Sequence, residues 1–183
     1  MFLPIILCAF LAATYTTHTR QIHDPFVLGY NHEQLKFLSS LSSHDTSLSL
    51  NHSSSLLKPL LVPRVPDTPS NRAVQAFITK HFENLGWTIE RDAFEAQTPL
   101  GTKHFTNLIF THNPRALRKL VLAAHYDSKV FDGFEFVGAT DSSVPCAILL
   151  DIAQTLNPYL PQSFKDGLVS LQLIFFDGNS KSL

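Results

Sequence analysis

Between Val74 and Leu85 the apolar positions recur at steps of three and four, and this spacing marks the first clear helix of the chain. Val74, Phe77, Ile78, Phe82 and Leu85 line one face, Ser70 can cap the helix and Gly86 can end it. His81 shares that face and reads as a packed histidine rather than a ligand. The pattern then shifts to alternation. "WTIERDAF" and "HFTNLIFT" have the period of half-buried strands, with "TPLGT" as the turn between them. After a second turn, "HNPRA", the run "KLVLAA" is continuously apolar, as in a strand covered on both faces. Helical spacing returns in "SVPCAILLDIAQTL", with Ser142 or Ser143 as cap and Pro145 in the first turn. "SLQLIFF" is a second fully buried strand. Strand, helix and strand in this order predict a right-handed crossover within an α/β sheet.

Upstream the pattern weakens. Ser39 to Ser55, "SSLSSHDTSLSLNHSSS", reads as a flexible surface segment with little to bury. "LLKPLLVPRVPDTPS" mixes apolar residues with four prolines and should run extended over the surface. At the start, Phe2 to Ala13 form an apolar stretch too short to span a bilayer but of the length of a signal-peptide core. It lacks a basic flank beyond the terminal amine, and a buried core segment is the alternative. Small residues at Ala12, Ala13, Thr16 and Thr17 offer cleavage positions. The organisation expected is a signal peptide over 1–19, a flexible segment over 20–56 and a partial α/β catalytic domain over 57–183. A secreted protein with no membrane segment after processing follows.

Composition narrows the partners. In 183 residues, 44% are apolar, enough for one core, and 14 basic residues against 15 acidic ones leave a net charge of -1. No basic stripe attracts phosphates, which argues against a nucleic-acid partner. Of the two cysteines, Cys8 would leave with the signal peptide, so Cys146 reads as a small buried hydrophobe. Asn51-His52-Ser53 is a glycosylation acceptor pattern.

Candidate chemistry gathers at strand ends. "KLVLAAHYDS" closes a strand with His125 and Asp127, spaced so that the carboxylate can hold the imidazole tautomer. "FVGATDSS" sets Asp141 before a helix, and "LIFFDG" sets Asp177 after the next strand. Sites in open α/β sheets collect beyond the carboxyl ends of strands, and histidine with carboxylates there suits zinc. Each residue alone also has a bland reading: a His-x-Asp pair as a structural hydrogen bond, an Asp before a helix as a cap. "HEQLK" at His32 lacks the second histidine of a zinc-protease motif, because Lys36 stands there. No G-x-S-x-G elbow, C-x-x-C pair or phosphate-binding glycine loop is present.

At these residues the chain resembles the glutaminyl-peptide cyclotransferases, or glutaminyl cyclases, relatives of the co-catalytic zinc aminopeptidases. "LVLAAHYDSK", "FVGATDSSVPCAILL" and "VSLQLIFFDG" carry the likeness, which extends upstream through "PLLVPRVPDTPSNRAV" and "QTPLGTKHFTNLIFTHNPRALRKL". It covers about Leu57 to Gly178. The resemblance implies the N-terminal part of a zinc-aminopeptidase-like mixed-sheet α/β domain. It implies a secreted acyltransferase acting on peptides or proteins with N-terminal glutamine, closing that residue to pyroglutamate with one zinc ion and releasing ammonia. Asp141 matches the aspartate zinc ligand. His125 and Asp127 match a pair whose histidine binds a second metal in the aminopeptidases and is not a principal ligand in the cyclases. Cys146 matches half of a family disulfide whose partner position holds Ala124 here. The loop from Asp127 to Asp141 is shorter than in vertebrate relatives.

After FFDG the family places two glutamates, a proton shuttle and a zinc ligand, where this chain has Asn179 and Ser180. No catalytic residue is therefore assigned, and zinc binding is expected to be weak or absent. The reading is of a chain truncated before the glutamate pair, with the edge and apolar face of "SLQLIFF" left open and the chain poorly soluble or partly molten. A zinc aminopeptidase and a non-catalytic secreted isoform are the alternatives.

Overall fold

The computed structural model describes residues 31–41, 44–160 and 168–178. The expected signal peptide, Cys8, Asn179 and Ser180 lie outside them. Among the described residues, four α-helices and four strands follow one another as α1 (His32–Leu41), α2 (His44–Ser47), α3 (Pro69–Leu85), β1 (Thr88–Thr98), β2 (Gly101–Thr111), β3 (Arg118–His125), α4 (Val144–Leu156) and β4 (Val169–Phe176). No helix among the described residues is long and apolar enough to cross a membrane.

Helix α3 starts two residues earlier than a Ser70 cap would give. Thr68, in extended conformation, accepts the Asn71 amide on its side chain, and Pro69 fills the first turn where its missing N–H costs nothing. Ser70 is thus inside the helix. Gly86 ends it in the left-handed conformation at φ 75°. For α4 the expected cap position is right but the bond is not. Ser143 precedes the helix without a side-chain cap, and its hydroxyl donates to Leu60 O and Gly138 O instead.

The strands form one mixed sheet in the order β1-β2-β4-β3. β1 and β2 are an antiparallel hairpin closed at Thr98 and Gly101, β2 and β4 are antiparallel, and β3 and β4 are parallel with α4 between them in sequence. Alternate residues Leu108 and Phe110 of β2 and Leu171, Leu173 and Phe175 of β4 are buried on one face. Val74, Ile78 and Phe82 of α3 and Ala147, Leu150 and Ala153 of α4 complete that core. Phe82 is its centre. It stacks on Phe110 at 3.9 Å and meets Phe175 and Trp87 at 5.9 and 5.3 Å.

Several expectations change. β4 is not an open edge, since β2 and β3 pair with its two sides. The edges of the described sheet are β1 and β3, and on β3 Leu120 and Val121 are exposed, so this run is not covered on both faces. β4 is itself one-sided, because Phe176 is exposed while Phe175 is buried. The proline-rich stretch does not drape the surface. It buries Leu56, Leu57 and Leu60 in the core and makes a 3-10 turn at Lys58–Leu60. The serine-rich segment holds the end of α1 and all of α2, with Ser47 and Ser55 buried and Leu48 packed on the core. Leu48 supplies an apolar anchor that composition concealed. His81 is a packed histidine as expected, bonded through Nε2 to Leu150 O at 3.1 Å.

Candidate active site

β3 delivers His125 at its last position, and the chain then leaves the sheet. Alternation places His125 on the face opposite Ala124, which packs against the core. Two residues on, Asp127 is fully buried, and its Oδ1 lies 3.1 Å from His125 Nδ1. Asp141, whose side chain is 83% exposed, approaches from the other side, with Oδ1 2.7 Å from His125 Nε2. The imidazole therefore sits between two carboxylates, one buried and one in solvent. The Asp127 bond lifts its pKa from 6.5 to about 9; burial opposes the rise and Asp141 adds to it. Near neutral pH both ring nitrogens donate.

Asp141 reaches this position through a turn at 139–143, in which Asp141 and Ser142 leave helical geometry. Gly138 opens the turn at φ 61°, and a Cβ there would stand 2.5 Å from the Asp141 carbonyl oxygen. Ser142 Oγ donates to His125 O, and Cys146 Sγ contacts the same carbonyl at 3.1 Å. The first turn of α4 is thereby tied to the end of β3. Cys146 is free and buried, and burial pushes its thiol up to about 12, so it behaves as the small hydrophobe expected.

Asp177 takes its hydrogen bonds from other segments. Its carboxylate accepts from Thr106 N at 3.0 Å and Asn71 Nδ2 at 3.3 Å, and its own amide donates to Asn107 Oδ1 at 3.0 Å. It is a buried tie between β4, β2 and α3. Burial raises its pKa from 3.8 to about 6, against the hydrogen bonds that lower it. The folded chain thus binds this proton more tightly than the unfolded chain. The group's stabilisation is full below 3.8 and is lost as pH rises to about 6. The displacement corresponds to about 3 kcal/mol. Urea unfolding of the parent and Asp177→Asn across that interval should show a falling midpoint in the parent and a flatter profile in the variant. Parallel profiles would place the titration elsewhere.

The donor types suit zinc, but the described residues do not complete a zinc site. Asp127 and Asp141 bind opposite nitrogens of one ring, so their oxygens do not converge with it on a point. Among the described residues, no group of three or more histidine, cysteine or acidic side chains could hold a metal. Asp141 alone offers an outward carboxylate, one donor where catalytic zinc takes about three.

Peptidase family M28 matches residues 107–183, the span containing His125, Asp127, Asp141 and Asp177. A glutaminyl-peptide cyclotransferase of Drosophila melanogaster is 41% identical over 152 residues, 82% of this chain and 42% of the relative. A glutaminyl-peptide cyclotransferase-like protein of Bos taurus is 48% identical over 127 residues, 67% of this chain and 33% of the relative. The crystal structure of Macrostomum lignano glutaminyl cyclase superposes with a TM-score of 0.71 at 38% identity, covering 83% of this chain and 43% of that one. The chain belongs to the glutaminyl cyclase family.

As a glutaminyl cyclase by family, the chain spans less than half the length of the relatives it matches. The mixed sheet is the zinc-exopeptidase-like arrangement expected from the resemblance. Of the residues singled out in the sequence, His125, Asp127 and Asp141 come together and Asp177 is turned to a structural task. Asn51 lies exposed in a turn, well apart in sequence from the cluster. One important group was missed. Arg64, in the proline-rich stretch, is 1% exposed and bonds the Tyr126 carbonyl between His125 and Asp127. Its partners are backbone carbonyls, which leave no mark in a motif.

Proposed function

We propose that this chain carries the amino-terminal framework of a glutaminyl-peptide cyclotransferase whose substrates are peptides or proteins with N-terminal glutamine. The observation that carries this reading is the Asp127–His125–Asp141 array at the carboxyl end of β3, built from the motifs that match the family. In the reaction, the substrate's α-amine nitrogen attacks its side-chain amide carbon, the amide C–N bond breaks and ammonia leaves. A proton must pass from the attacking amine to the leaving group.

Asp127 fixes the His125 ring, and His125 in turn holds the outward Asp141 carboxylate in one orientation. Asp141 is proposed as the chain's one contribution to the zinc that the resemblance implies; the remaining donors must come from elsewhere. The proton-transfer role is unfilled, because Asn179 has no basic lone pair at neutral pH. This form is therefore read as impaired. We also assign residues 1–19 to a signal peptide and Asn51 to glycan attachment on a secreted protein; exposure of the Asn51-His52-Ser53 turn supports the latter.

A segment exchange tests the reading. Residues 57–178 of this chain, placed in the fly relative in place of its matching segment, should convert a glutaminyl peptide to its pyroglutamyl form. Hydrolysis of an aminoacyl substrate instead would favour the aminopeptidase alternative. A folded exchange protein with neither activity would favour a non-catalytic framework.

A further inference from the structure

We propose that Arg64 is the positioning residue of this site, clamping both arms of the 126–138 loop so that His125 and Asp141 meet across it. The inference deepens the functional reading and rests on it only for the use of the site, not for the geometry.

Arg64 is the bulkiest of the fully buried side chains. A guanidinium has five N–H donors in a planar fork, and leaving them unpaired in the interior is costly. Here they go to main-chain carbonyls of three separate segments. Nε donates to Tyr126 O at 2.7 Å, the carbonyl lying between His125 and Asp127 in sequence. On the returning arm, Nη1 donates to Val137 O at 2.6 Å and Nη2 to Gly138 O at 3.4 Å. Nη1 also donates to Val62 O at 2.8 Å and to Leu60 O, which anchor the fork to the proline-rich segment.

Backbone bonds repeat the clamp. Arg64 N donates to Ser128 Oγ at 2.7 Å, and Ser128 N returns a bond to Arg64 O at 3.1 Å. Asn71 Nδ2 donates to the same Arg64 carbonyl at 3.3 Å, linking α3. Leu60 O and Gly138 O also accept from Ser143 Oγ, so the start of α4 shares two acceptors with the fork. Gly138 opens the turn that carries Asp141. Burial lowers the Arg64 pKa from 12.5, and the charge of buried Asp127 is among the opposing influences.

Lysine brings the charge but only three donors on one atom, which cannot serve Tyr126 O and the Val137–Gly138 carbonyls in a fork. The test uses the 183-residue chain, labelled with 15N-histidine and held in a chelator, with His125 assigned through His125→Gln. The His125 Nδ1–H bonded to buried Asp127 is expected to give a slowly exchanging signal in the parent. Arg64→Lys and Ser128→Ala should speed its exchange with water by about tenfold, the change expected for loss of one buried hydrogen bond. Phe82→Leu, a core change outside the Arg64 hydrogen-bond fork, should lower the melting temperature and leave that exchange unchanged. Should Arg64→Lys fail to fold, Ser128→Ala decides by the same reading. Retention of parent exchange in the folded loop variants, or equal loss in Phe82→Leu, would make Arg64 a structural residue only.

Discussion

Extending the segment exchange by two residues, so that Asn179 and Ser180 replace the glutamates, is expected to cut pyroglutamate formation by about 10²–10⁴, the usual contribution of a general acid–base group. The reason lies in the proton balance of ring closure. The amine must lose a proton as its nitrogen bonds to carbon, and ammonia leaves only once its nitrogen has gained one. A carboxylate can do both in turn, whereas a carboxamide has no comparable base. Asn179→Glu together with Ser180→Glu should recover the rate. Steady-state cyclisation of a glutaminyl peptide by the two exchange proteins gives the comparison. Equal rates would mean that neither position carries the chemistry assigned to it.

Phe82→Ala should destabilise the chain by about 3–5 kcal/mol, or prevent it from folding, because a fully buried aromatic leaves a large cavity. Its ring touches two strands and the turn after α3, stacking on Phe110 of β2 and meeting Phe175 of β4 and Trp87. No single neighbour can move into the space without abandoning another. Urea unfolding followed by far-ultraviolet circular dichroism measures the loss. A change below about 1 kcal/mol would show that the packed core of α3 against the sheet is not what holds the chain together.

These two positions also show how differently the sequence exposes its content. Phe82 was legible because helical spacing names the inward face of α3 without reference to anything outside it. His125 and Asp127 were legible for a similar reason, since a gap of two at a strand end fixes their side. Asp141 joined them only through the motif in which it stands, as spacing alone allowed a helix cap. Asp177 looked equally placed, yet its carboxylate turns to Thr106 and Asn71 rather than to the cluster. What decided that was the insertion of β4 between β2 and β3, a pairing that no local pattern encodes.

The same pairing explains the other corrections. A continuous apolar run predicted burial on both faces of β3, but β3 stands at the edge of the described sheet. Serine content predicted flexibility over 39–55, where Leu48 and the two buried serines dock on the core. Arg64 was the least legible of all. Its hydrogen-bond partners lie at Leu60 and Val62 and again at 126 and 137–138, so its role exists only in the folded chain. A basic residue among prolines gives no hint of burial.

The central proposal is that the chain carries a glutaminyl-cyclase-like framework around His125, Asp127 and Asp141, with Asn179 standing where the resemblance places the proton shuttle. Incubating the 183-residue chain with a glutaminyl peptide, with and without added zinc, measures this most directly. No pyroglutamate above the uncatalysed blank is expected in either case. Sustained cyclisation that a chelator abolishes would contradict the claim and send the search for the shuttle to another residue.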